Sequence, residues 1–197
     1  INGFESADWI LGLFVLASML FHLLTYERER EAAGTDFAIT LSGALYIGWL
    51  GAYLISLRTL PNGLWWFLVA LPSVWIADSG AYFIGRQFGR HRLCPRLSPK
   101  KTWEGYIGGI ISGVLGGALL AALVPNVDIT PMRGVVLGLI LSVITPLGDL
   151  GESMFKRQVN IKDSSNLIPG HGGAFDRVDS WLWGGIISYY IITWLFI

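Results

Sequence analysis

The sequence predicts an all-α fold, a polytopic transmembrane bundle of about six spanning helices whose cytoplasmic loops form the site. Composition is the first reason. Of 197 residues, 53% are hydrophobic and only 14% charged, whereas roughly a quarter of a typical soluble domain is charged. A soluble core of this size would lack the polar residues to cover it. Length is the second reason, because six apolar runs each come near the ~20 residues that cross a bilayer. They are Trp9 to Leu24, Phe37 to Leu57, Leu64 to Ile84, Tyr106 to Val124, Gly134 to Phe155 and Trp181 to Ile197. The third reason is where the bases fall. Of the 14 Lys and Arg, the second and fourth connections hold only Arg58 and Arg133. The first holds Arg28 and Arg30. The third holds Arg86, Arg90, Arg92, Arg96, Lys100 and Lys101, and the fifth Lys156, Arg157, Lys162 and Arg177. Positive charge is retained in the cytoplasm, so the odd connections face it.

Residues 1–197 read as a single integral-membrane domain. No basic residue precedes the first apolar run, which is therefore no signal peptide, and the chain reads as lacking upstream N-terminal helices. Net charge is zero, so no basic field argues for nucleic acid. Cys94 is the only cysteine, which excludes an intrachain disulfide and a thiolate metal cluster.

Taken in order, the first connection interleaves Glu and Arg at helical spacing and reads as a solvated helix extension. The third run carries Asp78, with Tyr82 and Arg86 at i+4 and i+8 on the same face. Such a carboxylate is either neutral and bonded to a neighbouring helix or faces an internal cavity. In the third connection, Ser98, Lys100, Lys101 and Thr102 gather hydroxyls and ammonium groups around Pro99, a set suited to polyphosphate. Thr102 and Glu104 then read as a helix start, which aims N–H groups at an anion, while His91 and Cys94 read as structural. Gly105, Gly109, Gly113 and Gly117 repeat every four residues, as do Gly134 and Gly138. That spacing lets helix backbones approach closely in lipid.

Pro146 interrupts the fifth run by removing a backbone donor. Asp149, Glu152, Ser153 and Lys156 follow on one face, with Gly148 and Gly151 leaving room beside them. Asp149 and the Ser153 hydroxyl are hard oxygen donors of the kind Mg²⁺ takes. Beyond them, the glycines from Gly170 to Gly173 let main-chain N–H groups converge on phosphate oxygens. His171 reads equally as a base or as a loop-shaping donor. Asp176 and Asp179, three residues apart at the start of the last run, point the same way.

The segment resembles the signature of the CDP-diacylglycerol synthase (phosphatidate cytidylyltransferase) family. Ser153, Phe155, Lys156, Arg157, Lys162, Asp163, Ser165, Pro169, His171, Gly172, Gly173, Asp176, Arg177, Val178 and Asp179 match it, as do the residues around Asp78 and Ser98 to Gly105. Ala174 departs from it, standing where the family has a larger aliphatic residue. The resemblance implies a Mg²⁺-dependent reaction of CTP with phosphatidate, giving CDP-diacylglycerol and pyrophosphate. It implies a homodimer in a bacterial inner membrane, to which the glycine faces also point, with the active site facing the cytoplasm. On this reading Asp149, Lys156, Asp176 and Asp179 are catalytic, and Asp149 and Asp176 hold the metal with Ser153 in support. Asp78 or Asp179 contributes to a second cation, K⁺ or another divalent. Lys156, Arg157 and Lys162 bind phosphates, and Lys100 and Lys101 grip pyrophosphate. Asp78, Arg86, Ser98, Thr102, Asp163, His171, Gly172, Gly173 and Arg177 complete the substrate-binding set. Two rivals share these features, a CTP-dependent lipid kinase of the polyprenol type and an ion-coupled transporter. Against the transporter, the acids gather at one membrane face and no inverted repeat of broken helices is visible.

Overall fold

The computed structural model describes residues 7–125, 128–161, 164–165, 173 and 175–197. Six helical rods follow the six apolar runs. The first is α1 (Ala7–Tyr26). The second is continuous over Ala33–Thr59, joining α2 (Ala33–Gly43) to α3 (Leu50–Thr59) through a π-helical turn at Ala44–Trp49. The third is α4 (Gly63–Phe88) and the fourth α5 (Trp103–Leu123). The fifth pairs α6 (Pro131–Ile144) with α7 (Pro146–Gln158), and the sixth is α8 (Phe175–Ile191) ending in a π-helical turn. Among the described residues, five rods are long and apolar enough to cross a membrane. The sixth opens on Asp176 and Asp179, six residues before the apolar run that marked it in the sequence, because a helix start tolerates acids near its positive end.

Local chemistry sets the boundaries. Thr102 caps α5 by accepting from the Gly105 N–H at 3.2 Å, and Thr130 does the same for α6 ahead of Pro131. Both are the short hydroxyl residues that satisfy the unpaired donors of a first turn. Pro146 has no N–H, and the helix is interrupted at Thr145 between α6 and α7. One element was not expected from the sequence. The third connection folds into an antiparallel hairpin, β1 (Arg92–Cys94) with β2 (Ser98–Thr102), pairing Arg92 with Thr102 and Cys94 with Ser98.

The glycine repeats are spent inside the chain. A Cβ on Gly117 would collide with the carbonyl of Gly134, and one on Gly138 with that of Gly113, so α5 and α6 touch backbone to backbone. A Cβ on Gly105 would stand 2.7 Å from the Ala81 carbonyl of α4. Dispersion between close backbones replaces the hydrophobic effect as the cohesive force in lipid. The glycine faces therefore give no support to a second copy of the chain. Leu57, Trp66, Val69, Val74, Leu137, Leu141 and Ile192 form the core, with Trp66 stacked on Phe196. Leucines and isoleucines such as Ile107, Ile111, Leu115 and Leu119 cover the outside of α5, as a lipid-facing surface requires.

Candidate active site

Where α4 ends, the hairpin crosses to α5, and α7 meets α8, the chain encloses a cleft of about 790 Å³. Two of the base-rich connections, the third and the fifth, thus come together at one end of the bundle.

α7 supplies the floor. Asp149, Glu152, Ser153 and Lys156 lie on one face at helical spacing, and α8 presses against them at a point where only glycine fits. A Cβ on Gly148 would stand 2.8 Å from the Asp179 carbonyl and 2.8 Å from the Trp183 ring. That approach brings Asp149, Glu152 and Asp179 together, each offering one carboxylate oxygen within 4.8 Å of the others. From behind, Tyr46 of the π-helical turn braces the junction. It accepts from Trp183 Nε1 at 2.8 Å and packs edge-on against Phe155 and Phe175.

The charges around this trio are specific. Lys101 of β2 reaches Asp149 at 2.5 Å. Lys156 lies between two acids, 3.2 Å from Glu152 and 2.8 Å from Asp176. Glu152 is 2% exposed, and its Oε1 has no hydrogen-bond partner among the described residues. A buried carboxylate oxygen without a donor is rare and costly. Two unit charges ~4 Å apart also repel by about 4 kcal/mol at an effective dielectric of 20. Among the described residues these three acids meet two ammonium groups, Lys101 and Lys156, which leaves the floor short of positive charge. Exposed Arg86, Arg92 and Lys100 stand on the open side of the same cleft, so an acidic floor faces a basic rim.

Asp176 does different work. One oxygen pairs with Lys156, while the other accepts from Ser164 N at 2.9 Å, Ser164 Oγ at 2.8 Å and Gly173 N at 2.6 Å. It ties two points of the fifth connection to the start of α8, beside the trio rather than within it.

Of the residues singled out in the sequence, Asp78, Arg86, Lys100, Lys101, Thr102, Asp149, Lys156, Asp176 and Asp179 all line the cleft. Ser153 lies buried below it, 3.4 Å from Asp149. Ser98 is held in the hairpin, and the Thr102 hydroxyl is taken up as a helix cap. Arg157 is exposed and donates to the Ile161 carbonyl at 3.3 Å, outside the cleft. Lys162, Asp163, His171 and Gly172 lie outside the described residues, as does the Arg177 side chain. Glu152 was placed on the polar stripe by spacing but given no role. Its position three after Asp149 and four before Lys156 was the signal. Glu104, read in the sequence as part of the helix start, has a further task. It accepts from the Arg90 and His91 N–H groups and sits 2.6 Å from His91 Nδ1, fastening the hairpin to α5.

The family model described as the cytidylyltransferase family matches residues 1–195. The chain is 42% identical over 193 residues to a phosphatidate cytidylyltransferase of Bacillus subtilis (strain 168), covering 96% of this chain and 71% of that protein. It is 37% identical over 182 residues to the protein of that name from Staphylococcus saprophyticus, covering 90% of this chain and 69% of the relative. The figure for Staphylococcus aureus (strain COL) is 38% over 183 residues, with the same coverage. Similarity of this extent runs through every rod and every wall of the cleft, and the chain belongs to the cytidylyltransferase family.

Proposed function

We infer that this integral membrane protein transfers the cytidylyl group of CTP to phosphatidate, giving CDP-diacylglycerol and pyrophosphate. A single cleft that joins an acidic floor to a basic rim at the ends of membrane-spanning helices carries this reading, because the reaction must join two anions, one of them a lipid.

A phosphate oxygen of phosphatidate attacks the α-phosphorus of CTP. The new P–O bond forms as the bond to the β-phosphate breaks, and pyrophosphate departs with its electrons. The nucleophile is already anionic, so alignment and charge neutralisation matter more than a general base. Arg86, Arg92 and Lys100 on the rim meet the phosphates before reaction, and Lys100 with Lys101 stabilises the departing pyrophosphate. Lys156 holds the floor in place by sharing its proton donors between Glu152 and Asp176.

Mg²⁺ fits the floor. Oxygens around an octahedral ion at 2.0–2.1 Å stand about 3–4 Å apart, close to the spacing of the trio, and the unpartnered Glu152 oxygen is a ready ligand. Asp149, with Glu152 and Asp179, would hold the ion, while Asp176 and Ser153 support the geometry from either side. When bound, it supplies positive charge to the phosphate oxygens. A second cation, K⁺ or another divalent, would draw on Asp78, which lines the same cleft, or on Asp179.

The orientation proposed is the cytoplasmic side of the bacterial inner membrane, supported by the excess of bases on the connections that build the cleft. The homodimer rests on the family resemblance, and light scattering of the detergent-solubilised protein tests it. For the reaction, the purified protein is given phosphatidate, Mg²⁺ and CTP radiolabelled at the α-phosphate. Label appears in the lipid, and Asp149→Asn removes it while the protein stays folded. Lipid labelled only by γ-labelled CTP would instead identify a kinase.

A further inference from the structure

A second hollow, of about 420 Å³, lies on the outer side of α4 where it meets α5, lined by Pro72, Trp75, Ile76, Ser79, Gly80 and Ser112. Its floor is made of small residues. Gly80 is pressed so closely by Ser112 that a Cβ would collide with the hydroxyl, and Trp75 rises beside them, 54% exposed.

Residues of α4 that line this hollow lie on the same helix face as residues that line the reaction cleft. Trp75, Ser79, Tyr82 and Arg86 stand at i, i+4, i+7 and i+11, which places them within about 60° of arc on an α-helix. All four are exposed. Tyr82 and Arg86 belong to the cleft, and Arg86 donates to the Tyr82 hydroxyl at 3.3 Å. From Pro72 to Arg86 is about 21 Å of helix rise, well over half of the ~30 Å hydrocarbon thickness. The lower part is apolar and within a membrane span, so its surroundings are acyl chains. The upper part ends in a guanidinium and a phenol, donors suited to a phosphate monoester.

We propose that this face of α4 is the lipid side of the cleft, with one acyl chain of phosphatidate lying along the hollow from Pro72 to Ser79 and its phosphate held at Tyr82 and Arg86. The proposal rests on the cytidylyltransfer reading and adds which helix face selects the lipid. The hollow is a groove of finite length, so it acts on chain length and leaves the nucleotide untouched.

Ser79→Phe fills the groove from its exposed side and alters no residue placed in the cleft. Turnover is measured in mixed micelles with dioleoyl phosphatidate, dihexanoyl phosphatidate and CTP varied in turn. The expected result is a KM for dioleoyl phosphatidate raised about tenfold, since a ring displaces a chain segment rather than trimming a contact. KM for CTP is unchanged, and KM for the dihexanoyl lipid, whose short chains occupy only the top of the groove, moves less than about twofold. Leu115→Phe, on the lipid-facing side of α5, leaves all three unchanged, and Ser79→Val gives a smaller effect of the same pattern if the Phe variant does not fold. Equal rises for both lipids, or no rise in either, overturn the proposal. So does a change in oligomer mass with Ser79→Phe, which would mean a second copy covers the groove. Wild-type protein that makes no liponucleotide overturns the reaction itself, whereas normal wild-type turnover with unaltered chain-length dependence in the variant overturns the groove alone.

Discussion

Glu152 is buried beside two other acids, and while one oxygen meets Lys156 the other lacks a donor among the described residues, so a second cation there would relieve it. Glu152→Gln removes the charge and keeps the shape. A ligand that binds only the folded state stabilises by about 2.7 kcal/mol at a hundred times its Kd. Mg²⁺ is therefore expected to raise the melting temperature of the wild type measurably and that of Glu152→Gln far less. In Mg²⁺-free buffer the variant should melt no lower than wild type, because repulsion with Asp149 and Asp179 is relieved. Calorimetry in detergent with and without Mg²⁺ reads both. A melting point for Glu152→Gln that still climbs with Mg²⁺ as the wild type's does would count against the trio as the ion's floor. Lys156 makes the opposite case. It is the shared partner of Glu152 and Asp176, and removing one member of a buried pair costs about 3–5 kcal/mol. Lys156→Met should unfold at markedly lower temperature, with or without substrate.

At the scale of elements, the hairpin is a device for delivering Lys100 and Lys101 to the cleft. Its hold on α5 runs through Glu104, which gathers two main-chain N–H groups and the His91 ring. That cluster is exposed, and exposed ion pairs add little to stability. Glu104→Ala should barely move the melting temperature yet raise KM for CTP about fivefold, the ~1 kcal/mol that a typical hydrogen bond contributes net. Steady-state kinetics with CTP varied at saturating phosphatidate decides it, and an unchanged KM would reduce the latch to decoration. The hairpin was not legible in the sequence because strands of three and five residues carry too little period of their own; they are fastened by a carboxylate in the first turn of the helix that follows. The helix starts were legible, since Thr102 and Thr130 announce themselves by residue type. The start of α8 was hidden for a related reason. Asp176 and Asp179 look like loop residues until Asp176 is seen gathering donors from residues 164 and 173.

For the whole molecule, the rods were readable from composition, a property of single segments. What could not be read was convergence: that α7 meets α8 at Gly148, and that Asp149 finds Asp179 and Glu152 rather than Asp176. Such facts depend on packing between distant segments. The orientation itself can be measured. In a Cys94→Ser background, Arg96→Cys at the hairpin tip should react with an impermeant maleimide only in inverted vesicles, and Asn62→Cys between α3 and α4 only in intact cells. Reaction of both from one side would break the alternation on which the six-rod topology stands.

The break at Pro146 sets the carboxylate-bearing α7 apart from α6, which the glycine contacts lock to α5. A bilayer that thickens or thins will tip the long rods to match its oil layer, and the missing backbone hydrogen bond at the proline gives that tilt somewhere to dissipate. The acids of the cleft floor can then keep their mutual spacing while the rods lean, so an enzyme that manufactures membrane is buffered against the changing membrane it makes.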